Sequence, residues 1–426
     1  MTPPPVPGLP DVPAAAPEGD RRAIVSWALY DLANTIYSAI VVTLFLPSYL
    51  EGRYGDAAPL GRATAITLLL SGLVSPWLGA VVDRTGRARP GLDVSTWVCV
   101  LASAALCFLG PLGLWPALLC YAVSLFGYQA ALTFYNALLP AVAPPHRRGW
   151  VSGLGTGLGY LGIPVAVLIA LRVKDTSLGI PGTFLVSAVL MTLGTIPLWL
   201  FVKDAPREPH DATPSGKGGA RGGKPSGTVL LDTLRDLRGR PLLGLFLLAN
   251  FVCVDVTNTL IQYAAYYYEK GEGLTKDQTG VVVIALSVTA LVGGLVLGRL
   301  ADRRSPTRLY LVTGLGLVAA LLGVAFFPGR WVPRIGLVIG GGVATAAIWS
   351  IGRQLLLRLA PPERQGAYFG LYGVTVKVSI LGTWLFAEIS DRWSFRPAIL
   401  VEAGMLALGL TLFWRLDRRL AAERRA

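Results

Sequence analysis

Three ionisable side chains lie near the middle of long apolar stretches of this 426-residue chain by residue count: Asp31, Asp255 and Lys377. A charge at the centre of a membrane helix costs roughly 2.5–3.5 kcal/mol on insertion scales, so such groups should face a partner or a water-filled space. Two acids and one base leave two possibilities open. They form a static ion pair that locks helices together, or Lys377 pairs with one aspartate while the other binds a proton or a cationic part of a solute.

Each aspartate belongs to a polar stripe with i, i+3, i+4, i+7 spacing, which places four side chains on one face of a helix. The first stripe comprises Asp31, Asn34, Thr35 and Ser38. The second comprises Asp255, Asn258, Thr259 and Gln262, and each member follows its counterpart in the first stripe at the same offset. The amides either recognise a polar solute or form interhelical hydrogen bonds worth roughly 0.6–2 kcal/mol each.

The elements that position these residues must be membrane helices. Hydrophobic residues make up 53% of the chain, charged residues only 15%, and the mean hydropathy is +0.56, which excludes an ordinary soluble protein. A spanning helix needs about 20 residues, and twelve apolar runs approach that length. They are residues 24–50, 61–82, 92–110, 115–140, 150–172, 181–202, 241–268, 279–301, 308–328, 333–357, 367–390 and 396–416. The sequence predicts an all-α protein with twelve transmembrane helices.

A charged turn follows the second apolar run, at residues 79–89, and a shortened copy follows the eighth, at residues 298–304. An acid at a helix end can pair with arginines of neighbouring turns or cap a nearby helix N-terminus. Contacts made in one conformation only would bias a two-state equilibrium; alternatively, the charges only fix orientation in the membrane. The candidate gate residues are Gly79, Asp83, Arg84, Gly86, Arg87, Asp302 and Arg303.

Internal repeats divide the chain into two halves. The polar stripes recur, the charged turns recur, and a Pro-Pro turn at residues 144–154 recurs at 361–371, all at nearly equal offsets along the chain. Two six-helix bundles related by a pseudo-twofold axis explain these similar offsets. We expect bundles at 23–202 and 241–416, a flexible linker at 203–240 with a short amphipathic helix near its end, a disordered tail at 1–22 and a basic tail at 417–426.

The net charge of +13 is unevenly distributed. With the N-terminus inside, 27 of the 38 Lys and Arg residues fall in cytoplasmic segments and 10 in outer segments. This positive-inside bias predicts that both termini are cytoplasmic, and no nucleic-acid partner is expected. The four cysteines lie in apolar runs without metal-ligand spacing, and the two histidines lie in predicted loops. We therefore expect no metal site, no cofactor and no enzymatic activity.

The first charged turn resembles the Gly-x-x-x-Asp-Arg-x-Gly-Arg-x-Arg loop of the major facilitator superfamily. The resemblance implies that spans 1, 4, 7 and 10 line a central cavity, with 2, 5, 8 and 11 beside it. It places Asp31, Asp255 and Lys377 around one aqueous path and adds cavity candidates, whose aromatic members could instead serve packing. These candidates are Tyr37, Tyr128, Gln129, Tyr135, Asn136, Tyr160, Trp349 and Arg353. Glu402, in the peripheral last span, is expected to pair locally.

Within the superfamily, several segments look like the vacuole-effluxer branch, related to autophagy-linked permeases. They are Tyr30-Asp31-x-Ala33-Asn34-Thr35-x-Tyr37, Val151-Ser152-Gly153-Leu154-Gly155 and Phe369-Gly370-Leu371-Tyr372-Gly373. That branch implies amino-acid export in its eukaryotic members. The glycines of the fifth span, including Gly153 and Gly157, also predict close approach of a neighbouring helix.

The sequence thus predicts a secondary active transporter that moves a small polar organic solute, with amino acids favoured, by alternating access and with proton coupling. We expect a monomer in a bacterial cytoplasmic membrane, with the lipid bilayer, the solute and the proton as its partners. Two alternatives stay open. A multidrug exporter would have a broad aromatic cavity, and a non-transporting sensor or scaffold would seal its charged residues in a dry network.

Overall fold

The computed structural model describes residues 20–55, 58–204, 229–378 and 380–423. The predicted N-terminal tail, most of the linker and the end of the basic tail lie outside the described part. All regular structure in the described residues is helical. Twelve helices are long and apolar enough to cross a membrane: α1 Arg21–Tyr54, α2 Pro59–Thr85, α3 Arg89–Phe108, α4 Leu114–Ala137, α5 Pro145–Val173, α6 Gly179–Phe201, α7 Pro241–Gly271, α8 Lys276–Arg303, α9 Pro306–Phe326, α10 Trp331–Leu359, α11 Pro362–Arg392 and α12 Phe395–Glu423.

The predicted all-α, twelve-span fold is confirmed, although most helices are longer than their apolar runs. The last helix reaches Glu423, for example, beyond the expected end at 416. Hydropathy marks only the part of a helix that matches the hydrocarbon, whereas the hydrogen-bonded ladder continues into the polar interface. The sequence therefore located the spans but underestimated their length.

The two six-helix halves repeat one packing scheme. In the first half the packed pairs are α1–α5, α1–α6, α2–α4, α3–α4 and α3–α6. The corresponding pairs in the second half are α7–α11, α7–α12, α8–α10, α9–α10 and α9–α12. The halves meet mainly through α2 against α11 and α5 against α8, which are themselves equivalent under the repeat. This is the predicted pseudo-twofold correspondence.

Glycines allow the backbones of the two halves to touch. A Cβ placed on Gly79 would lie 1.9 Å from the carbonyl oxygen of Gly366, and one on Gly153 would lie 2.1 Å from that of Gly294. No side chain fits at such distances, so α2 crosses α11 and α5 crosses α8 with main chains in contact. The expected close approach at the fifth span is confirmed.

Among the described helices, two contain π-helical segments that interrupt the regular α-helical hydrogen bonding. α1 contains one at Ser38–Leu44, and α7 ends in one at Tyr267–Gly271. The described residues of α11 are helical over Gln365–Val378 and Ile380–Arg392. Interruptions leave backbone groups without their usual helical partners, and within a membrane these groups need partners from elsewhere in the protein. The π-helical segments were not predicted, because the hydropathy pattern is continuous across them.

A short helix, Val229–Arg238, precedes α7 and is called the linker helix. It packs on α2 of the first half and on α7 and α11 of the second. Asp236 accepts hydrogen bonds from Tyr368 and from Arg240 at 3.0 Å, and pairs with Arg364 at 3.0 Å. Burial raises the pKa of Asp236, but the hydroxyl and the two guanidinium groups outweigh it and hold that pKa below its ordinary value. The linker helix thus ties both halves together at one end of the bundle.

Replacement of Gly153 by Ala tests the backbone contact between α5 and α8. Because the added Cβ would overlap Gly294, the helices must separate, and overpacking of this kind costs about 1–3 kcal/mol. We expect Gly153→Ala to lower the Tm of the purified protein in detergent. In the control Gly316→Ala, the Cβ meets nothing within 4 Å, so helix propensity should leave stability unchanged or raised. Equal Tm values for the two variants would contradict the packing described above.

Candidate functional site

Two aspartates join the halves by capping helices across the interface. Asp83, near the end of α2, accepts hydrogen bonds from the amides of Gly366 and Ala367, both at 2.7 Å. Asp302, near the end of α8, accepts hydrogen bonds from the amides of Gly149 and Trp150, both at 2.8 Å. A carboxylate at a helix N-terminus gains from charge-assisted hydrogen bonds and from the helix dipole. We call these the paired caps, and the end of the bundle that holds them the motif end.

The structure therefore shows capping where the sequence left capping and arginine pairing open. Arg84, Arg87 and Arg303 have exposed side chains, which suits the topological alternative of positive charge that fixes orientation. Gly86 has a φ of 68°, and its amide bonds the carbonyl of Val82 at 2.8 Å. This left-handed turn ends α2 and explains why glycine occupies the position.

Two further aspartates play similar roles inside each half and were missed from the sequence. Asp204, just after α6, accepts from the amides of Ala88 at 2.8 Å and Arg89 at 3.0 Å, at the start of α3. Asp417, in α12, accepts from the hydroxyls of Ser305 and Thr307 at the start of α9. The offset between these two acids is close to that of the other repeats. This similar offset was the sequence feature that could have identified Asp204 and Asp417.

An ion pair between the halves lies nearer the middle of the bundle. The Nη2 atom of Arg353 in α10 is 3.9 Å from Oδ2 of Asp31 in α1; we call these residues the central pair. The Arg353 side chain is 6% exposed and that of Asp31 is 15% exposed. Arg353 reaches into the first half, where it donates to Thr156 and, at 3.4 Å, to the carbonyl of Ser152. The guanidinium is thus held at a fixed position beside a partly accessible carboxylate.

Aromatic faces and amides surround this guanidinium. Its central carbon lies 5.3 Å from the ring centre of Trp27 and 6.0 Å from that of Tyr135, within cation–π range. Nη1 donates to Oδ1 of Asn136 at 3.4 Å, and Nε to the carbonyl of Trp349 at 3.0 Å. Arg353, a minor candidate from the sequence, is therefore the best-connected cation in the described bundle.

The expected pairing of Lys377 with an aspartate is wrong. Nζ of Lys377 donates to the hydroxyl of Ser75 and, at 3.4 Å, to the carbonyl of Ser71, both in α2. Lys377 is 5% exposed, and its position in the span did not reveal which helix it faces. Its side chain points across the interface towards α2, whereas Asp255 faces Gly382 of α11.

Asp255 occupies the position equivalent to Asp31 but has a different role. It is 2% exposed, and Oδ1 accepts a hydrogen bond from the amide of Gly382 at 3.1 Å. Gly382 lies in α11, so Asp255 binds the main chain of a neighbouring helix. Asp31 similarly lies against Gly159, whose added Cβ would be 3.5 Å from its carboxyl carbon. One scaffold position thus holds an interhelical ion pair in one half and a buried carboxylate bound to a main-chain amide in the other.

The remaining candidates separate into two groups. Tyr160 and Tyr128 are half-buried and within electrostatic range of Asp31, so they join Asn136 and Trp349 around the central pair. Other candidates do not contribute to this cluster in the same way: Asn34 is 2% exposed, Tyr37 is buried with its hydroxyl 2.8 Å from Ser124, Gln129 and Asn258 are half-buried, and Gln262 is exposed.

Comparison with known proteins decides the family. The family model for the Major Facilitator Superfamily matches residues 23–379 and 257–426. The chain belongs to the major facilitator superfamily. It is 28% identical to the uncharacterized MFS-type transporter YxiO of Bacillus subtilis, over 85% of this chain and 87% of that one. It is 24% identical to the multidrug resistance protein MdtG of Salmonella paratyphi A, over 95% and 97% of the chains.

A solved structure with the same fold is the fucose:proton symporter FucP of E. coli. The TM-score is 0.73 at 14% sequence identity, covering 93% of this chain and 97% of FucP. At this identity the similarity concerns the fold alone. The family match indicates a membrane transporter rather than an enzyme.

Glu402 requires a second correction in this superfamily member. The sequence placed it in a peripheral helix and predicted a local partner. The structure buries it to 1% exposure, and neither carboxyl oxygen has a hydrogen-bond partner among the described residues. The hydrophobic pattern of α12 did not reveal which face meets α7, so the burial of Glu402 was not predictable from its position in the span.

Loss of charge in the paired caps should open the motif end. We expect Asp83→Asn with Asp302→Asn to weaken the closed arrangement by about 1–2 kcal/mol for each cap, because neutral hydrogen bonds replace charge-assisted ones. Spin labels at Thr85→Cys and Arg304→Cys, in a cysteine-free background, report the separation by pulsed electron resonance. The double variant should gain a population at longer distance.

The matched control is Asp175→Asn with Asp277→Asn, which removes one exposed aspartate from each half. It should leave the distance distribution as in the parent. A cap variant that gives the parent distribution as well would show that the paired caps do not hold the motif end closed.

Proposed function

We propose that this protein is a proton-coupled secondary transporter of a small polar organic solute, with amino acids as the favoured class. The central pair is the observation that carries the proposal. At 3.9 Å the Asp31–Arg353 contact is at the long limit of an ion pair, and the Asp31 side chain keeps 15% of its surface accessible. A sealed structural network, as expected for a sensor or scaffold, would hide both groups and hold them closer.

An amino acid carries the two charges that this pair could bind. Its carboxylate would replace Asp31 as the partner of Arg353, whose planar guanidinium suits carboxylates. Its ammonium group would then bind Asp31. Asn136 and Tyr160 offer further polar groups at the edge of the site, and the exchange of one ion pair for two reduces the desolvation penalty of binding.

The paired caps and the linker helix support an alternating-access mechanism. Both lie at the motif end, where they join the two halves, so this conformation is closed there. Positive charge is concentrated in the loops at this end, which supports its assignment to the cytoplasmic side. The protein would then be a monomer in a bacterial cytoplasmic membrane, with its termini inside and its central site reached from outside in this state.

The finer family assignment also belongs to the proposal. The segments around Asp31, Val151 and Phe369 resemble the vacuole-effluxer branch, whose eukaryotic members export amino acids. The similarity to YxiO extends over most of the chain and is compatible with a bacterial offshoot of that branch. This assignment supports an amino acid as the solute.

A multidrug exporter is the second candidate, and two observations favour it. MdtG is named as a multidrug resistance protein and matches nearly the whole chain. The rings of Trp27 and Tyr135 beside Arg353 are the kind of surface that binds aromatic compounds. In that case Asp31 would attract cationic drugs, and the aromatic residues would supply most of the affinity.

The two candidates differ in which compounds stabilise the protein. We expect an amino acid to raise the Tm of the purified protein and to be taken up by proteoliposomes faster with a pH gradient than without one. Asp31→Asn and Arg353→Lys should each lower this uptake at least about tenfold, because loss of one charge-assisted contact corresponds to about 1.5–3 kcal/mol. Asp175→Asn, which changes an exposed aspartate, should transport as the parent does.

Other outcomes would contradict parts of this proposal. Stabilisation by lipophilic cations such as ethidium, with none by amino acids, would favour the multidrug candidate. Uptake by Asp31→Asn at the parental rate would exclude the central pair as the binding site.

A further inference from the structure

Glu402 is the most unusual ionisable residue in the described part of the protein. It is 1% exposed, and both carboxyl oxygens lack a hydrogen-bond partner there. Among the described residues, no lysine or arginine forms an ion pair with it. An ionised carboxylate without compensation in such surroundings is strongly unfavourable, and the group becomes neutral instead. Glu402 therefore holds a proton in this conformation.

Asp255 of α7 lies within electrostatic range of Glu402. These two carboxyl groups come from different helices, α12 and α7, which pack together. The amide of Gly382 donates to Asp255 at 3.1 Å, so Asp255 has a partner that favours its ionised form, whereas Glu402 has none among the described residues. Two carboxyl groups within electrostatic range of each other in a buried site cannot both ionise cheaply, and such pairs share one proton.

The other titratable groups on the surrounding helices do not neutralise this pair. Lys377 of α11 donates instead to Ser75 and Ser71 of α2. Cys253 of α7 lies against Gly409 of α12, and Tyr310 of α9 stacks on Phe413 at 3.9 Å between ring centres. Lys377, Cys253 and Tyr310 therefore make these contacts with groups other than the two carboxyl groups.

We propose that Asp255 and Glu402 form a two-carboxyl site that binds one proton, separate from the central pair of Asp31 and Arg353. As the site for the coupling proton, it rests on the proposed function. On this proposal, Asp31 and Arg353 bind the solute between the halves, whereas Asp255 and Glu402 bind the proton inside the second half.

The packing of α11 on the first half connects this site to conformational change. The Gly382 amide stabilises the charge on Asp255, and Gly382 lies in α11, whose Gln365–Val378 part packs against α2 across the interface. Movement of the halves that displaced this amide would favour protonation of Asp255 over ionisation. Proton affinity would therefore change with the state of the transporter, as coupling requires.

Infrared difference spectroscopy tests the site without any solute. For the parent protein in nanodiscs, we expect a protonated-carboxyl C=O band at neutral pH. Glu402→Gln should remove it, because Asp255 alone keeps its Gly382 donor and ionises. Asp255→Asn should retain the band but lose it at a less alkaline pH than the parent, because the neighbouring charge is gone. The opposite behaviour of two isosteric variants separates a proton site from a general folding defect.

Glu388→Gln is the control, since Glu388 is a partly exposed member of an ion pair with Arg392 in the same half. It should leave the band unchanged. A parent spectrum without such a band at neutral pH, or a band that survives in Glu402→Gln, would overturn the inference.

Transport measurements keep this inference distinct from the proposed function. If amino-acid uptake depends on a pH gradient in the parent, Glu402→Gln should retain exchange of internal for external solute but lose that dependence. Gradient-dependent uptake that persists in Glu402→Gln would reject the two-carboxyl site and leave the transporter proposal intact. Absence of amino-acid transport in the parent would reject the solute, whereas the infrared result would still decide the proton site.

Discussion

The structure depends on the free amide groups at the N-termini of membrane helices and on the carboxylates that meet them. Asp83 and Asp302 bind the first amides of α11 and α5 across the interface between the halves. An amide inside or near a bilayer has few alternatives to a protein partner, so a change that separates the halves removes two hydrogen bonds from each carboxylate at once. Glycines near these caps let the main chains of the two halves approach closely, so that equivalent contacts form between α2 and α11 and between α5 and α8.

The repeat and the helix count were readable from the sequence because both depend on local composition. Asp83, Asp302 and the glycines of α5 were recognised because motif and spacing mark them directly. The partners of Lys377, Arg353 and Glu402 were not, because they depend on how each helix is rotated about its axis and on which half it faces. A polar stripe shows that four residues share a face, but not which neighbour that face meets.

The internal duplication revealed equivalent positions in the two halves but not the different surroundings of the residues that occupy them. Asp31 and Asp255 occupy equivalent positions, each beside a glycine of the adjacent helix, Gly159 or Gly382. From the sequence, either of them could be the partner of Lys377. In the structure, Asp255 accepts a hydrogen bond from the Gly382 amide of its own half, whereas Asp31 faces a guanidinium from the other half. Equivalent acids on one scaffold therefore have different electrostatic surroundings.

The strength of the closed end must be limited if the halves are to exchange states. Hydrogen bonds to charged groups contribute roughly 1.5–3 kcal/mol each, so the four such bonds of the paired caps would favour this conformation strongly if nothing opposed them. Water can replace these partners once the motif end opens, because the caps lie at the surface rather than at the bilayer centre. The central pair is less accessible, and under the proposed function a solute that binds Asp31 and Arg353 separately would replace their contact. On that proposal, water would compensate for the loss of the caps, and a bound solute for the loss of the central contact, when the halves part.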